Sequence, residues 1–129
     1  MENTDEETFD VIIKEGWINK RSRFLKIWRR RWLVLTPHFL ITFKRQQAYL
    51  DKPTEKIKIE CCSTMKSAEE ETKKVFTFRI NFLDRVFFFS AQDANDKETW
   101  IESIRGAMMP KKTEERCFEG LYDDVLNLK

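Results

Sequence analysis

Apolar and polar residues alternate in short bursts along most of this chain, and the period changes only after about residue 90. Val11 to Lys20 alternates roughly, with Ile13, Trp17 and Ile18 as its apolar members. Trp32 to Leu35 is a short buried run, Pro37 and His38 break it, and Phe39 to Phe43 returns, so the two runs predict a hairpin. Residues 44–55 are polar and contain Pro53, the composition of a loop. Lys56 to Glu60 alternates as a half-buried strand does. A weaker strand is expected from Cys62 to Ser67, then a charged loop from Ala68 to Lys74. Val75 to Ile80 alternates cleanly, Asn81 to Asp84 reads as a turn, and Arg85 to Ser90 as the last strand.

From Asp93 the apolar spacing lengthens. Asp93 is an N-cap residue with Asp96 three positions on, and Trp100, Ile101, Ile104, Ala107 and Met108 form one helical stripe that Pro110 ends. About seven short strands followed by one amphipathic helix argue for an antiparallel sheet or barrel with the helix over one open end, filled by Trp100. Residues 1–10 read as an acidic tail, 11–109 as the folded domain, and 110–129 as an extension. In that extension Phe118, Leu121, Tyr122, Val125 and Leu128 have the spacing of a short helix.

Composition changes this picture in two places. With 129 residues, 41% of them hydrophobic, the chain is large enough for one ordinary core. The formal net charge of +2 conceals an asymmetry: Glu2, Asp5, Glu6, Glu7 and Asp10 precede a stretch holding Lys14, Lys20, Arg21, Arg23, Lys26, Arg29, Arg30 and Arg31 against Glu15 alone. Screening leaves an anionic partner to feel that local basic field. The three cysteines have no zinc spacing, and a reduced, cytosolic protein is expected. No apolar run reaches the ~20 residues of a membrane span. The acidic start is no secretory signal, and neither end carries a lipidation motif. A membrane would therefore be reached reversibly, from the cytosol.

The chemistry concentrates between Lys20 and Trp32. Lys20 ends one strand, and Arg29 and Arg31 open the next two positions apart, so they share a face. Arg23 and Lys26 lie in the loop between. Paired as a hairpin, these strands bring the bases together at an open end, where Arg forks and Lys point charges suit phosphate groups. Phe24 and Leu25 sit within the basic loop, the combination that interfacial anchors use to insert while cations hold headgroups. Lys44 and Arg45 extend the patch. A solvated basic face is the bland alternative. His38 has no partner acid or nucleophile, no glycine loop cradles phosphate, and no carboxylate pair stands out, so no catalytic residue, metal or cofactor is expected.

The stretch Lys14-Glu-Gly-Trp-Ile-Asn-Lys-Arg, then Trp28-Arg-Arg-Arg-Trp-Leu-Val-Leu, with Trp100 in the last helix, resembles a pleckstrin homology (PH) domain over about residues 11–109. The resemblance implies a mainly β fold: a seven-stranded, bent antiparallel barrel of two near-orthogonal sheets, capped by a C-terminal helix. Within the family the chain looks most similar to the N-terminal module of Akt (protein kinase B) kinases. That likeness maps phosphate ligands onto Lys20, Arg29, Arg31 and Arg85. The chain departs from the Akt pattern at Arg23, where an acid is usual, and at Thr42, where several 3-phosphoinositide binders have Tyr. The function implied is a phosphoinositide-binding recruitment module, probing 3-phosphorylated headgroups and an anionic membrane surface such as the plasma membrane. The expected protein is a cytoplasmic monomer that binds no nucleic acid. A protein-interaction module of the same fold, working through the tail from Cys117 to Leu128, is the alternative.

Overall fold

Two strands of equal length found the architecture. The computed structural model describes residues 11–109. In it β1 (Lys14–Arg21) pairs antiparallel with β2 (Trp28–Leu35) over its whole length, from Lys14 opposite Leu35 to Arg21 opposite Trp28. The connecting loop is closed by the Ser22 N–H donating to the Ile27 carbonyl at 2.7 Å and the Ile27 N–H donating to Ser22 Oγ at 3.1 Å. Next come β3 (Phe39–Phe43), β4 (Glu55–Lys58), a 3-10 turn (Ile59–Cys61), β5 (Cys62–Ser67), a short helix α1 (Glu69–Thr72), β6 (Thr77–Phe82), β7 (Arg85–Ser90) and helix α2 (Ala94–Met108). The seven strands form one sheet in the order β4-β3-β2-β1-β7-β6-β5. β1 is the joint: it meets β7 only where Asn19 faces Ser90 and Lys20 faces Phe89. The two expected sheets are thus the halves of one continuous sheet hinged at the end of β1.

The side-chain period of two divides the strands between two apolar layers. Ile18, Leu33, Leu35, Leu40, Ile57, Phe78, Ile80, Phe87 and Phe89 face inward and pack with Trp100, Ile101 and Ile104 of α2. Trp32, Val34, Ile41 and Phe43 face the other way and pack with Trp17 and Tyr49. Trp32 to Leu35 is therefore buried on both faces, which is why it reads as an unbroken apolar run. Glu15 secures the outer layer by accepting from Trp32 Nε1 at 3.0 Å and from the Tyr49 hydroxyl. Burial, and then the Glu15 carboxylate, push the Tyr49 phenol up to about 12.

Helix α2 starts as expected. Asp93 accepts from the Asp96 N–H at 2.7 Å, and the Asp96 carboxylate accepts in return from the Gln92 N–H at 3.0 Å, a reciprocal cap. Trp100 is fully buried, and a Cβ on Gly16 would stand 3.8 Å from its ring. Lys97 on the same helix is buried, donating to Ser67 Oγ at 2.7 Å and Glu69 Oε2 at 2.6 Å, which ties α2 to β5 and α1. Among the described residues no helix is long and apolar enough to cross a membrane.

Several expected boundaries move. β1 begins at Lys14 rather than Val11, and β2 begins at Trp28, one residue before the Arg29 expected to open it. The strand expected from Lys56 to Glu60 spans Glu55–Lys58 and turns into the 3-10 segment. The loop from Ala68 to Lys74 contains α1, whose end is set by Lys73 in the left-handed region at φ 59°. β6 begins at Thr77 because Phe76, at φ 59°, cannot belong to a strand, and it runs on to Phe82. Phe88 lies on the outer face of β7 beneath Arg21, whose guanidinium is 4.2 Å from the ring centre. The acidic tail, Pro110 and the extension with Cys117, Phe118 and its apolar partners lie outside the described residues.

Candidate functional site

The same alternation that builds the core carries charge to one end of it. Lys20 follows Ile18 by two positions on β1, and Arg29 and Arg31 precede Leu33 and Leu35 on β2. Glu55 precedes Ile57 on β4, and Arg85 precedes Phe87 on β7. Each continues a core-facing row past the point where the barrel opens to solvent. Lys20 and Arg29 are direct cross-strand neighbours, as are Ile18 and Arg31. The result is a cleft of about 190 Å³ lined by Lys20, Ser22, Arg23, Arg29, Arg31, Thr54 and Glu55.

Four of the expected bases thus line one cleft. Lys20 and Arg85 are drawn together by a residue that composition did not single out. Glu55 Oε1 is 3.1 Å from Lys20 Nζ, and its Oε2 accepts from Arg85 Nη1 at 2.9 Å. Phe87 floors this triad, with Lys20 Nζ 5.4 Å and the Arg85 guanidinium 4.2 Å from its ring centre. Burial alone would raise the Glu55 carboxyl, but the Lys20 and Arg85 cations outweigh it and hold the group below its ordinary value.

The other half of the cleft is lined by arginines. Among the described residues no carboxylate pairs with Arg23, Arg29 or Arg31. Arg31 donates from Nη1 to the Arg30 carbonyl at 2.9 Å. Burial and then the neighbouring Arg29 charge lower its affinity for its own proton. Thr54, on the rim, shares a 2.6 Å hydroxyl–hydroxyl bond with Thr42.

The remaining candidates surround the cleft. Lys26 is exposed in the loop at φ 57° and does not line it. Phe24 and Leu25 are 81% and 65% exposed, with the Arg23 guanidinium 5.1 Å from the Phe24 ring centre. Lys44 is exposed, and Arg45 pairs with Asp51 at 2.6 Å. The signal that could have found Glu55 is its parity with Ile57; what was illegible is that β4 brings it against two cations distant in sequence.

The sequence profile of the PH domain matches residues 12–109. Pleckstrin homology domain-containing protein 1 of Arabidopsis thaliana is 37% identical over 94 residues, covering 70% of this chain and 65% of that protein. The phosphatidylinositol 4,5-bisphosphate-binding protein SLM2 of Saccharomyces cerevisiae is 30% identical over 123 residues, covering 86% of this chain and 19% of that protein. The chain therefore spans less than two thirds of either relative. Among solved structures, the C-terminal PH domain of pleckstrin in complex with D-myo-Ins(1,2,3,4,5)P5 superposes with a TM-score of 0.62 at 26% identity, covering 75% of this chain and 98% of that one.

Proposed function

This chain belongs to the PH domain family, and we propose that it is a phosphoinositide-binding module that recruits whatever it is joined to onto a membrane. Lys20, Arg29 and Arg31 ligate the inositol phosphates, Arg23 and Arg85 flank them, and Lys26 adds attraction to bulk anionic lipid. Phe24 and Leu25 insert beside the headgroup. The module performs no reaction; its product is a change of place, from cytoplasm to a phosphoinositide-bearing membrane, the plasma membrane included. The observation that carries the reading is the cluster of Arg23, Arg29 and Arg31 in one cleft, without a paired carboxylate among the described residues, beside two exposed apolar side chains. The pleckstrin domain that superposes on this chain binds an inositol polyphosphate, and the yeast relative's name states a phosphoinositide ligand. The resemblance of Lys20, Arg29, Arg31 and Arg85 to Akt-type ligand positions suggests the finer reading that 3-phosphorylated headgroups are among those bound.

Liposome co-sedimentation at physiological salt tests it, with one phosphoinositide per liposome preparation and wild type beside Arg31→Ala. The expected result is that a subset of headgroups sediments the wild type, and that Arg31→Ala weakens binding by at least about tenfold, the scale of one charge-assisted contact. Wild-type protein that ignores every phosphoinositide, or sediments in proportion to total negative charge alone, overturns the reading. A protein-interaction role would then be sought on the barrel surface.

A further inference from the structure

Glu55 is out of place in a pocket for phosphates. It is an acid on the wall of a basic cleft, only 24% exposed, and each of its oxygens already holds a cation. Removing charged groups from water is costly unless they are paired, so the triad is a settled arrangement and not a loose surface contact. It divides the cleft chemically. On one side Arg23, Arg29 and Arg31 offer positive charge that no carboxylate among the described residues balances. On the other, Lys20 and Arg85 already share the Glu55 carboxylate.

A carboxylate accepts hydrogen bonds and donates none when ionised. An inositol hydroxyl can donate to it; a phosphate dianion can only repel it. Resting on the phosphoinositide reading above, we propose that Glu55 is a specificity residue for ring position. In this reading the anchoring phosphate sits on Arg29 and Arg31, and Glu55 accepts from the hydroxyl on the adjacent ring carbon. The ligand class favoured is a headgroup whose bound phosphate has a free hydroxyl on both neighbouring carbons, so that neither orientation of the ring sets a phosphate against Glu55. Headgroups with phosphates on adjacent carbons are disfavoured, because the ring orientation that brings their second phosphate toward Lys20 and Arg85 sets it against Glu55.

Charge number and charge position can be separated with bisphosphate isomers. Water-soluble short-chain phosphatidylinositol 3,5-, 3,4- and 4,5-bisphosphates carry the same number of phosphates, but only the first keeps a hydroxyl between them. Calorimetric titration of wild type, Glu55→Gln and Arg31→Ala against all three is the test, with thermal unfolding of each variant as a folding control. The expected wild-type order places the 3,5-isomer first. Glu55→Gln is expected to strengthen the 3,4- and 4,5-isomers by about tenfold, as removal of one like charge at contact distance should, while changing the 3,5-isomer less than about twofold. Equal gain for all three isomers would reduce Glu55 to general electrostatics and overturn the proposal. Equal loss would make it only a brace for Lys20 and Arg85, and a wild-type preference for adjacent phosphates would overturn it directly. Failure of the underlying reading looks different: wild type binds none of the three, or Arg31→Ala binds as well as wild type.

Discussion

Single carboxylates set how this molecule responds to acid. Glu55 is held below the ordinary carboxylate value of 4.5 by Lys20 and Arg85 against the opposing effect of burial. Glu69 is held below it first by its hydrogen bond from Lys97. Each group therefore stays ionised in the folded chain at a pH where it has begun to take up a proton in the unfolded chain. That stabilisation is whole above pH 4.5 and drains as pH falls through the lower folded values. Thermal melts collected from pH 7 down to pH 3 should show the midpoint falling below about pH 4.5, and the fall should be shallower in Glu55→Gln or Glu69→Gln than in wild type. A wild-type acid limb that neither change flattens would mean that other carboxylates carry it. The residue scale is also where sequence reading was least complete. The alternation placed Arg29 and Arg31 on a shared face because a strand's period is local, and the expected hairpin brought Lys20 to them. It was silent on Glu55, whose role depends on which strands end up adjacent.

Among the elements, α2 is the one whose sequence signals and structure agree most closely. Its cap is a short-range bargain between Asp93 and Asp96, and its stripe is a matter of spacing, so both are legible without the rest of the fold. Losing the Asp93 side chain should cost about 1 kcal/mol, enough to lower the melting midpoint by about 5 °C in a domain of this size. Trp100→Ala should cost about 3–5 kcal/mol, a large share of the total for a small domain, because a fully buried indole leaves a cavity between β1 and the helix. Chemical denaturation of both variants separates the two magnitudes, and a Trp100→Ala loss no greater than that of Asp93→Ala would contradict the packing described above. Elements fixed by backbone conformation were less legible than those fixed by pattern. Lys73, Phe76 and Leu83 all take positive φ without being glycine. No residue-type signal marks them, so α1 and the true start of β6 stayed hidden inside a charged loop and an apparently regular strand.

At the scale of the whole molecule, three loops meet at the end that holds the cleft. The β1–β2 loop supplies Phe24 and Leu25, the β3–β4 loop leads through fully exposed Leu50 to Thr54 and Glu55, and the β6–β7 turn carries exposed Leu83 just before Arg85. The contacts of Glu55 with Lys20 and Arg85 show that the residues flanking these loops lie together. Charge alone would hold such an end near an anionic surface, each nearby base being worth about 1 kcal/mol. On the proposed reading the apolar side chains add a term that a bilayer satisfies and a soluble headgroup does not, since the latter offers nothing for Phe24 or Leu25 to enter. The two terms come apart in a single double variant, Phe24→Ser with Leu25→Ser. Neither side chain belongs to a core layer, so the melting midpoint should stay within about 1 °C of wild type, as surface changes usually leave it. Affinity for a soluble short-chain phosphoinositide should also stay within about twofold, because the basic cleft is untouched. Affinity for vesicles carrying the same headgroup should fall by about tenfold, the loss of partial burial for two large apolar side chains. If vesicle and soluble affinities fall together, the loop shapes the pocket and does not enter the bilayer. If neither falls, the cations hold this domain at the surface unaided, and the exposed apolar rim serves some other contact.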